Sequence, residues 1–490
     1  MDKQHTPVLV GVGIASRHLD DPALALEPVA LMAEALRNAA GDCSIPSLVR
    51  AAQSVAVPKG IWAYRDPARI LIDQFQMPSA RSVLVEVGVL QTSPFVRACR
   101  DIQRGVLDVA VVVGGEAKFR SLRAAITAID VVDTVQSDDT EPDEYIVPSV
   151  DVLHPVEIAR GLPVPARQYA IIESAMRAAD GLGVAEHAQR LNKLWSGFNT
   201  VAVNNRDAWN RTPVGADVLA GTSANPLLAA PYTKLHCSQW NVDQAAAFIL
   251  CSVATAERHN VPRDRWVFPH AIAESNFMTP VVQRRAMHQS PAMRLVGDAV
   301  ASTLGSEVRD VEYLDLYSCF PAAVQLQMRE MNVPADRQLT LTGGMTFGGG
   351  PLNNYSFQSL AKLVGELRAD PGSRGIATAV SGMVTKFGAS AWSSAAPAEP
   401  CAIHDVSEAA RAATEIVNVD EQFEGRAIVA GYTVAYDKGR PFQAIAVIDT
   451  PEGARSIAQS MEPSIVREFI DGTEWIGRPI IVDGATITAT

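Results

Sequence analysis

The chain has 490 residues, of which 48% are hydrophobic and 20% charged, so it can bury a large core and is not intrinsically disordered. Its formal net charge of −12 argues against binding to a nucleic-acid backbone, which requires a surplus of Lys and Arg on one face. This length suggests more than one domain.

The six cysteines are sparse and form no CxxC pair, which favours a reducing cytoplasm over a disulfide framework. The nine histidines never stand four residues apart on one helical face, so no metal site is predicted. The N-terminus lacks a charged-then-apolar signal pattern, and no apolar stretch reaches the roughly 18 residues that span a membrane. We therefore expect a cytoplasmic protein without a membrane span.

The first part of the chain alternates between predicted strands and helices. A buried strand is expected at Pro7–Ser16 and a helix at Ala23–Ala40, where apolar residues recur at helical spacing. A second strand, Val83–Val89, is followed by a helix over Gln91–Gly105, with candidate hydroxyl caps and a proline in its first turn. Val109–Val113 is the next strand. Strand, helix and strand in this order predict parallel pairing in a layered α/β domain.

Residues 120–235 are more polar, irregular and proline-rich, and we expect an insertion that forms a cap over the first half. Val242–Ala254 is predicted as a buried helix or strand edge. A second α/β block follows, with predicted elements at Pro291–Leu304 (helix), Val311–Leu316 (strand), Ala322–Met331 (helix), 343–350 (glycine-rich loop), Ser356–Leu367 (helix) and Gly375–Val380 (strand).

The last part of the chain has the pattern of a small all-β module. An Ala/Pro-rich linker is expected around 395–400, before a hairpin of Ala427–Tyr436 and Phe442–Asp449. Ala454–Gln459 and Pro479–Val482 are further candidate strands, enough for a barrel. The predicted units are 1–260 with the insertion, 261–395, and 396–490.

Four motifs in the same order resemble those of the thiolase superfamily. They are the unit Val83–Glu116, the segment Leu314–Ala322 (LDLYSCFPA), the loop Thr340–Leu352 (TLTGGMTFGGGPL) and the final loop Val380–Phe387. The closer resemblance is to the thiolase-like proteins type 1, which carry DLYSCFP, a GGPxNNY loop and an added C-terminal β-barrel. The resemblance implies a layered αβαβα thiolase fold of two related halves, plus an OB-like C-terminal barrel. It implies no settled activity.

The resemblance also locates the positions where thiolases carry catalytic groups. The nucleophilic cysteine, at the N-terminus of a buried helix, falls at Gly88, and no cysteine lies between Cys43 and Cys99. The Asn or His of the third motif is matched by Tyr317, and the His of GHP by Gly350. The final cysteine falls near Ala379–Ser381, where there is none. The ordinary thiolase mechanism is therefore not expected.

Several residues are candidates for a replacement catalytic set. Cys319 is either a new thiol nucleophile before a helix or a small buried core residue. Tyr317 and Ser318 either donate hydrogen bonds to a thioester carbonyl or line the pocket. Thr92 and Ser93 are either acyl-accepting hydroxyls or caps of the helix that follows, capping being the simpler reading. Cys99 lies on an apolar stripe in the middle of that helix and is expected to be core.

Other residues are candidates for binding the ligand. The glycine-rich loop allows close approach to a ligand, Asn353 and Asn354 either cap the next helix or reach the pocket, and Lys386 is a possible anion or thioester contact. By resemblance His236 lies where thiolases approach the pantetheine arm, although a structural histidine is the alternative. The candidate substrate- and coenzyme A-binding residues are Gly343, Gly344, Gly348, Gly349, Gly350, Asn353, Asn354, Lys386 and His236.

The sequence thus predicts a protein that handles acyl-coenzyme A on a thiolase scaffold, similar to acetyl-CoA acetyltransferases but without the usual Cys/His/Cys set. A coenzyme A thioester is the expected ligand, with no covalently bound cofactor. The alternative is a non-catalytic acyl-CoA-binding or partner-subunit module, with the β-barrel as docking element. Thiolases usually dimerise through a strand of the first half, and the sequence leaves monomer and homodimer open.

Overall fold

The computed structural model describes residues 3–150 and 152–489. The first half begins with alternating strands and helices, as its periodicity predicts. These elements are β1 (Pro7–Ser16), α1 (Pro28–Asp42), β2 (Ser54–Pro58), α2 (Pro67–Phe75), β3 (Arg81–Val85), α3 (Ser93–Gln103) and β4 (Val109–Ala117). The insertion and the return to the first sheet add α4 (Lys118–Thr127), β5 (Glu144–Ile146), α5 (Pro155–Ala159), α6 (Pro165–Ala179), α7 (Val184–Asn204), α8 (Ala216–Leu219), β6 (Leu227–Ala229), β7 (Tyr232–Thr233), β8 (Asp243–Ser252) and α9 (Val253–Arg258).

The second half repeats the mixture of strands and helices. Its elements are β9 (Phe268–Ser275), α10 (Pro291–Leu304), β10 (Tyr313–Asp315), α11 (Pro321–Glu330), α12 (Gly344–Phe347), α13 (Tyr355–Ala369), β11 (Arg374–Ser381), β12 (Lys386–Ser393), β13 (Ala402–Asp405) and α14 (Ser407–Ala413). The last part contains β14 (Gly425–Asp437), β15 (Arg440–Asp449), β16 (Arg455–Ser460), α15 (Pro463–Glu468), β17 (Pro479–Asp483) and β18 (Thr486–Ala489). Short 3₁₀ turns connect several of these elements.

Two sheets form the body of the molecule. The first has the order β1-β8-β4-β2-β3-β5, and the second has the order β10-β11-β12-β9-β13. α3 and α13 lie between the sheets, where Phe95, Phe248, Phe357 and Trp392 share one apolar core. α1 and α2 cover the outer face of the first sheet, and α10 and α11 cover that of the second. The layers are therefore αβαβα, which confirms the predicted fold class.

The structure corrects the end of one predicted strand and resolves the type of one ambiguous segment. The strand expected to run to Val89 ends at Val85, because the chain then turns into the start of α3. The ambiguous segment 242–254 is the central strand β8, buried along its whole length between β1 and β4. A continuous apolar run fits a strand covered on both faces as well as a buried helix, which is why periodicity alone left it open.

The insertion does not form the cap expected over the first half. Its apolar residues from Val156 to Tyr232 belong to the core of the second half, together with residues of α10 and α11. Only its beginning stays with the first sheet, where β5 pairs in parallel with β3. The expectation is thus corrected: most of the insertion covers the outer face of the second half.

The C-terminal part forms a closed ring of strands. β14 pairs with both β15 and β17, and the order β15-β16-β18-β17 completes a five-stranded ring. β6 of the insertion also pairs with β14 at Ala229↔Ala435, so the insertion extends this sheet.

The strand β13, which lies beyond residue 400, belongs to the second sheet of the body because it pairs in parallel with β9. The second half therefore extends past the boundary predicted at residue 395.

α6 holds the ring against the body. Tyr432 of β14 donates its backbone N–H to Ser174 Oγ at 2.9 Å. Arg177 donates from Nε to Glu474 at 2.7 Å and from Nη2 to the Tyr432 hydroxyl at 2.8 Å. The ring is thus fixed by side chains that lie more than 250 residues away in sequence.

Candidate functional site

A buried carboxylate meets the first turn of α3. Thr92 Oγ1 donates to Glu274 Oε1 at 2.5 Å, and Ser93 Oγ donates to the same oxygen at 2.9 Å. Glu274 belongs to β9 and is 7% exposed, and its burial raises the pKa of the carboxyl while the hydroxyl donors oppose this. Thr92 is the N-cap residue of α3 but makes no capping bond with its side chain, so the capping prediction is wrong for it. Its hydroxyl instead joins the two halves.

Lys386 lies at the position matched to the missing nucleophile. Its Nζ donates to the backbone carbonyl of Gly88 at 2.7 Å, and Ser381 Oγ donates to the same oxygen at 3.3 Å. Ser381 and Lys386 are paired across the β11–β12 hairpin. Lys386 is 2% exposed, and its burial lowers the pKa of the ammonium while Glu274 opposes this. Two of the predicted positions, Gly88 and Lys386, are therefore in direct contact.

The turn that carries Lys386 has an unusual backbone. Gly382, Met383 and Val384 have φ of 56°, 49° and 63°, so three consecutive residues are left-handed. A β-branched residue such as Val384 rarely adopts this region. Thr385 closes the turn by donating from Oγ1 to the Gly382 carbonyl at 2.7 Å. The strained turn brings Lys386 back towards Ser381 and Gly88.

The DLYSCFP motif forms a buried hydrogen-bonded network. Asp315 Oδ2 accepts backbone N–H groups from Leu341 at 2.7 Å and Thr342 at 3.1 Å, and Tyr355 donates its hydroxyl to Asp315 Oδ1 at 3.1 Å. Ser318 Oγ donates to the Tyr355 hydroxyl at 3.3 Å and accepts the backbone N–H of residue 345 at 3.1 Å. Ser318 therefore anchors the glycine-rich loop from beneath.

Tyr317 packs beside this network. Its ring meets that of Tyr355 edge-on, with centroids 5.5 Å apart, and its backbone N–H donates to Thr378 Oγ1 at 2.8 Å. Tyr317 is 7% exposed, and burial raises the pKa of its phenol. The side chain thus stays a neutral hydrogen-bond donor at ordinary pH.

The glycine-rich loop is buried and tightly packed against the protein itself. A Cβ on Gly343, whose φ is 92°, would lie 2.4 Å from Ala202 Cβ of α7. A Cβ on Gly349, whose φ is 106°, would lie 2.1 Å from Gln244 Oε1 of β8. Gly344, Gly348 and Gly350 are also buried. Close contact with α7 and β8 accounts for Gly343, Gly344 and Gly349 without a ligand.

Asn353 and Asn354 differ from their expected capping role. Asn354 precedes α13 but makes no side-chain capping bond. It is 2% exposed, and neither its Oδ1 nor its Nδ2 has a hydrogen-bond partner among the described residues. Asn353 Nδ2 is unpaired in the same sense. The Asn354 side chain lies at the contact between the two halves, where a Cβ on Gly114 would come 2.6 Å from its Oδ1.

Cys319 is enclosed by the insertion. It is 7% exposed, and burial raises the pKa of its thiol to about 12, with the Tyr169 hydroxyl opposing this. His236 is 2% exposed and its Nδ1 lies 2.9 Å from Thr233 Oγ1 in a capping box. Burial lowers the pKa of His236 to about 4, so the ring is neutral at pH 7. Both side chains are therefore buried and uncharged at pH 7.

Across 3–150 and 152–489, no helix is both long and apolar enough to cross a membrane. The same ranges hold no group of three His, Cys, Asp or Glu side chains arranged for a metal ion.

Comparisons with known proteins agree with this architecture. Residues 407–485 match the family described as thiolase-like protein type 1 additional C-terminal domain. The crystal structure of a monomeric SCP2-thiolase-like protein type 1 from Mycobacterium smegmatis is 27% identical, with a TM-score of 0.83, and the match covers 99% of this chain and 98% of that one. The chain is therefore similar to the thiolase-like proteins type 1 over nearly its whole length, and residues 407–485 match their additional C-terminal domain.

More distant structures share the thiolase fold of this thiolase-like protein. An Ltp2-ChsH2(DUF35) aldolase is 17% identical with a TM-score of 0.58, and the match covers 79% of this chain and 97% of that one. Human mitochondrial 3-ketoacyl-CoA thiolase in complex with CoA is 15% identical with a TM-score of 0.56, over 80% of this chain and 99% of that one. No curated protein matches the chain in sequence.

Proposed function

We propose that this thiolase-like protein binds an acyl-coenzyme A thioester and does not run the ordinary thiolase reaction. The observation that carries the proposal is the pair of donors at Gly88. Lys386 Nζ and Ser381 Oγ both point to a carbonyl at the place where thiolases present their nucleophile. A thioester carbonyl is an acceptor of the same kind, so these donors suit a bound thioester.

The thiols are unsuited to attack on a thioester. Cys99 is fully buried in α3, and its pKa is raised by the neighbouring Cys401 and by burial. Burial raises the pKa of Cys319 to about 12, so its thiol stays protonated at pH 7. His236 is neutral and buried in the insertion. Binding without covalent transfer is the function that fits these groups.

The binding experiment compares two lysine variants. Isothermal titration with acetyl-CoA and with free coenzyme A is expected to show one site per chain in the wild type. Lys386→Met removes a charge-assisted hydrogen bond and should weaken acetyl-CoA binding by roughly 10-fold or more. Lys193→Met, on an exposed position of α7, is the matched control and should bind like the wild type. Failure of every acyl-CoA to bind would overturn the proposal.

Intact-mass spectrometry tests the second part of the proposal. After incubation with a panel of acyl-CoA thioesters, the protein should keep its unmodified mass. A stoichiometric acyl adduct that disappears in Cys319→Ala would instead show a new nucleophile and an acyltransferase. We further propose a cytoplasmic location, which is supported by the six free cysteine thiols.

A partner-subunit role is the second candidate function, and it is favoured by exposed isoleucine side chains on the C-terminal ring of strands. Ile428 of β14 and Ile481 of β17 lie on paired strands and are 40% and 49% exposed. A photo-crosslinking residue at position 481 should then trap one defined protein in cells, whereas the same group at exposed position 193 should not. Equal labelling from both positions would contradict docking through the ring.

A further inference from the structure

A cavity lies between the body and the start of the C-terminal part. It has a volume of about 170 Å³ and is closed on one side by residues 413–415. Thr385 lines it, so the cavity borders the strained turn that carries Lys386. The side chains on its wall that matter here are Thr279, Arg284, Ser290, Ala292, Thr385 and Glu415.

Arg284 places a positive charge on the wall of the cavity. The residue is 4% exposed, and its guanidinium donates from Nε to the Thr279 carbonyl at 3.1 Å and from Nη2 to the Gly382 carbonyl at 3.3 Å. Within the described ranges it forms no ion pair with a carboxylate, and the negative charge of Glu157 favours the charged guanidinium only from a longer distance. Burial lowers the pKa of Arg284 to about 10, so the group remains charged at pH 7. The wall therefore carries a buried cation that donates to two backbone carbonyls.

The N-terminus of a long helix lies on the same wall. α10 has 14 residues, and Ser290, Pro291 and Ala292 at its start all line the cavity. Ser290 makes no side-chain capping bond, because its Oγ donates to the Val384 carbonyl at 3.3 Å. The first N–H groups of a helix carry partial positive charge and favour anions.

An unpaired hydroxyl supplies the independent sign of a ligand. Thr279 is 2% exposed, lines the cavity, and its Oγ1 has no hydrogen-bond partner among residues 3–150 and 152–489. A buried hydroxyl without a partner costs about 1–3 kcal/mol, so such groups are normally satisfied by water or a ligand.

Two carboxylates act against an anion and limit its affinity. Glu415 lines the mouth, with a side chain that is 74% exposed and lies 3.4 Å from Arg285 Nε. Glu330 accepts the backbone N–H of Ser290 at 2.7 Å, just behind the helix start. Neither carboxylate forms an ion pair with Arg284 in the described part of the chain.

We propose that this cavity binds a small oxyanion, either a carboxylate or a phosphate group, through Arg284, Thr279 and the N-terminus of α10. The volume suits a group of a few non-hydrogen atoms. The site is separate from the contact of Lys386 with Gly88, and it does not depend on acyl-CoA binding. Its occupant would meet both the strained turn and the first residues of the additional domain.

The test is an isothermal titration of the full chain with inorganic phosphate and, separately, with acetate, in chloride buffer of matched ionic strength. We expect one site per chain for at least one of the two anions. Thr279→Val removes the hydroxyl and keeps the shape, and should weaken binding roughly 10-fold. Glu415→Gln removes an exposed opposing charge and should strengthen binding by about 2- to 5-fold. Thr303→Val, at the exposed far end of α10, is the control and should not change the affinity.

The two anions distinguish the sources of the ligand. Preference for phosphate indicates a phosphorylated ligand, and preference for acetate indicates a carboxylic acid. Absence of binding by both anions overturns the proposal, as does binding that is unchanged in Thr279→Val and Glu415→Gln. If Thr279→Val fails to fold, the direction of the Glu415→Gln effect decides the outcome, because that position is exposed.

Discussion

Glu116 is expected to make the stability of the protein fall as the pH rises. It lies on β4 opposite Gln244 of β8, is 3% exposed, and accepts the backbone N–H of Ile61 at 2.8 Å. The Glu116→Gln variant keeps this acceptor and removes the charge. The substitution therefore changes the charge while leaving the bond to Ile61 in place.

The magnitude follows from the pKa. Burial raises the pKa of Glu116 from 4.5 to about 7. Between these values the unfolded chain loses its proton while the folded chain keeps it, so the free energy of unfolding falls as the pH rises. One pKa unit corresponds to about 1.4 kcal/mol, which gives a total loss of roughly 3 kcal/mol that is complete above pH 7. The Gln variant lacks this loss, and its advantage over the wild type should grow by roughly 2–3 kcal/mol between pH 5 and pH 8.

Urea unfolding of both proteins at pH 5 and pH 8 measures this difference. Glu452→Gln, at an exposed turn, is the control and should follow the wild type at both pH values. Parallel changes of stability in the wild type and Glu116→Gln would refute the reasoning, because they would mean that Glu116 ionises alike in the folded and unfolded states.

Three further predictions concern the edges and the site. Thr92→Val removes the 2.5 Å hydrogen bond to Glu274, and urea unfolding should show a free energy of unfolding that is lower by about 2 kcal/mol. An unchanged midpoint of urea unfolding would show that this hydrogen bond does not stabilise the protein. Light scattering should give the molar mass of a single chain, because β5 covers the edge of β3. The variant Arg97→Met loses the ion pair with Glu144 of β5, so amide hydrogen exchange should become faster in β5 alone. Cys319 should resist iodoacetamide at pH 7.5 in the folded protein, and its alkylation under these conditions would contradict its enclosure.

Long periodic elements were predictable from the sequence because their pattern reflects their own burial. The strand Pro7–Ser16 and the helix Pro291–Leu304 have the predicted bounds. β5 was missed because it has three residues in an acidic stretch and is held by polar groups. Arg69 reaches Asp143 at 2.6 Å, next to the first residue of β5. Such a strand leaves no apolar alternation to detect.

The site was only partly predictable for a related reason. The order of the motifs indicated Gly88 and Lys386 as site positions, and the two residues are in contact in the structure. Glu274 was missed, although a carboxylate at the end of the apolar run FPHAIAES was a usable signal. Its partners Thr92 and Ser93 are more than 180 residues away, so local patterns could not connect them.

The pairing of β6 with β14 decides how the chain can be divided. A fragment that stops before residue 407 would leave β6, β7 and one face of α6 without their cover, and Ile171 would lose the close approach of Gly431. A fragment of the last residues alone would lose the same support. Although the additional domain follows the thiolase-like halves in sequence, it is expected to fold, unfold and be lost together with the insertion.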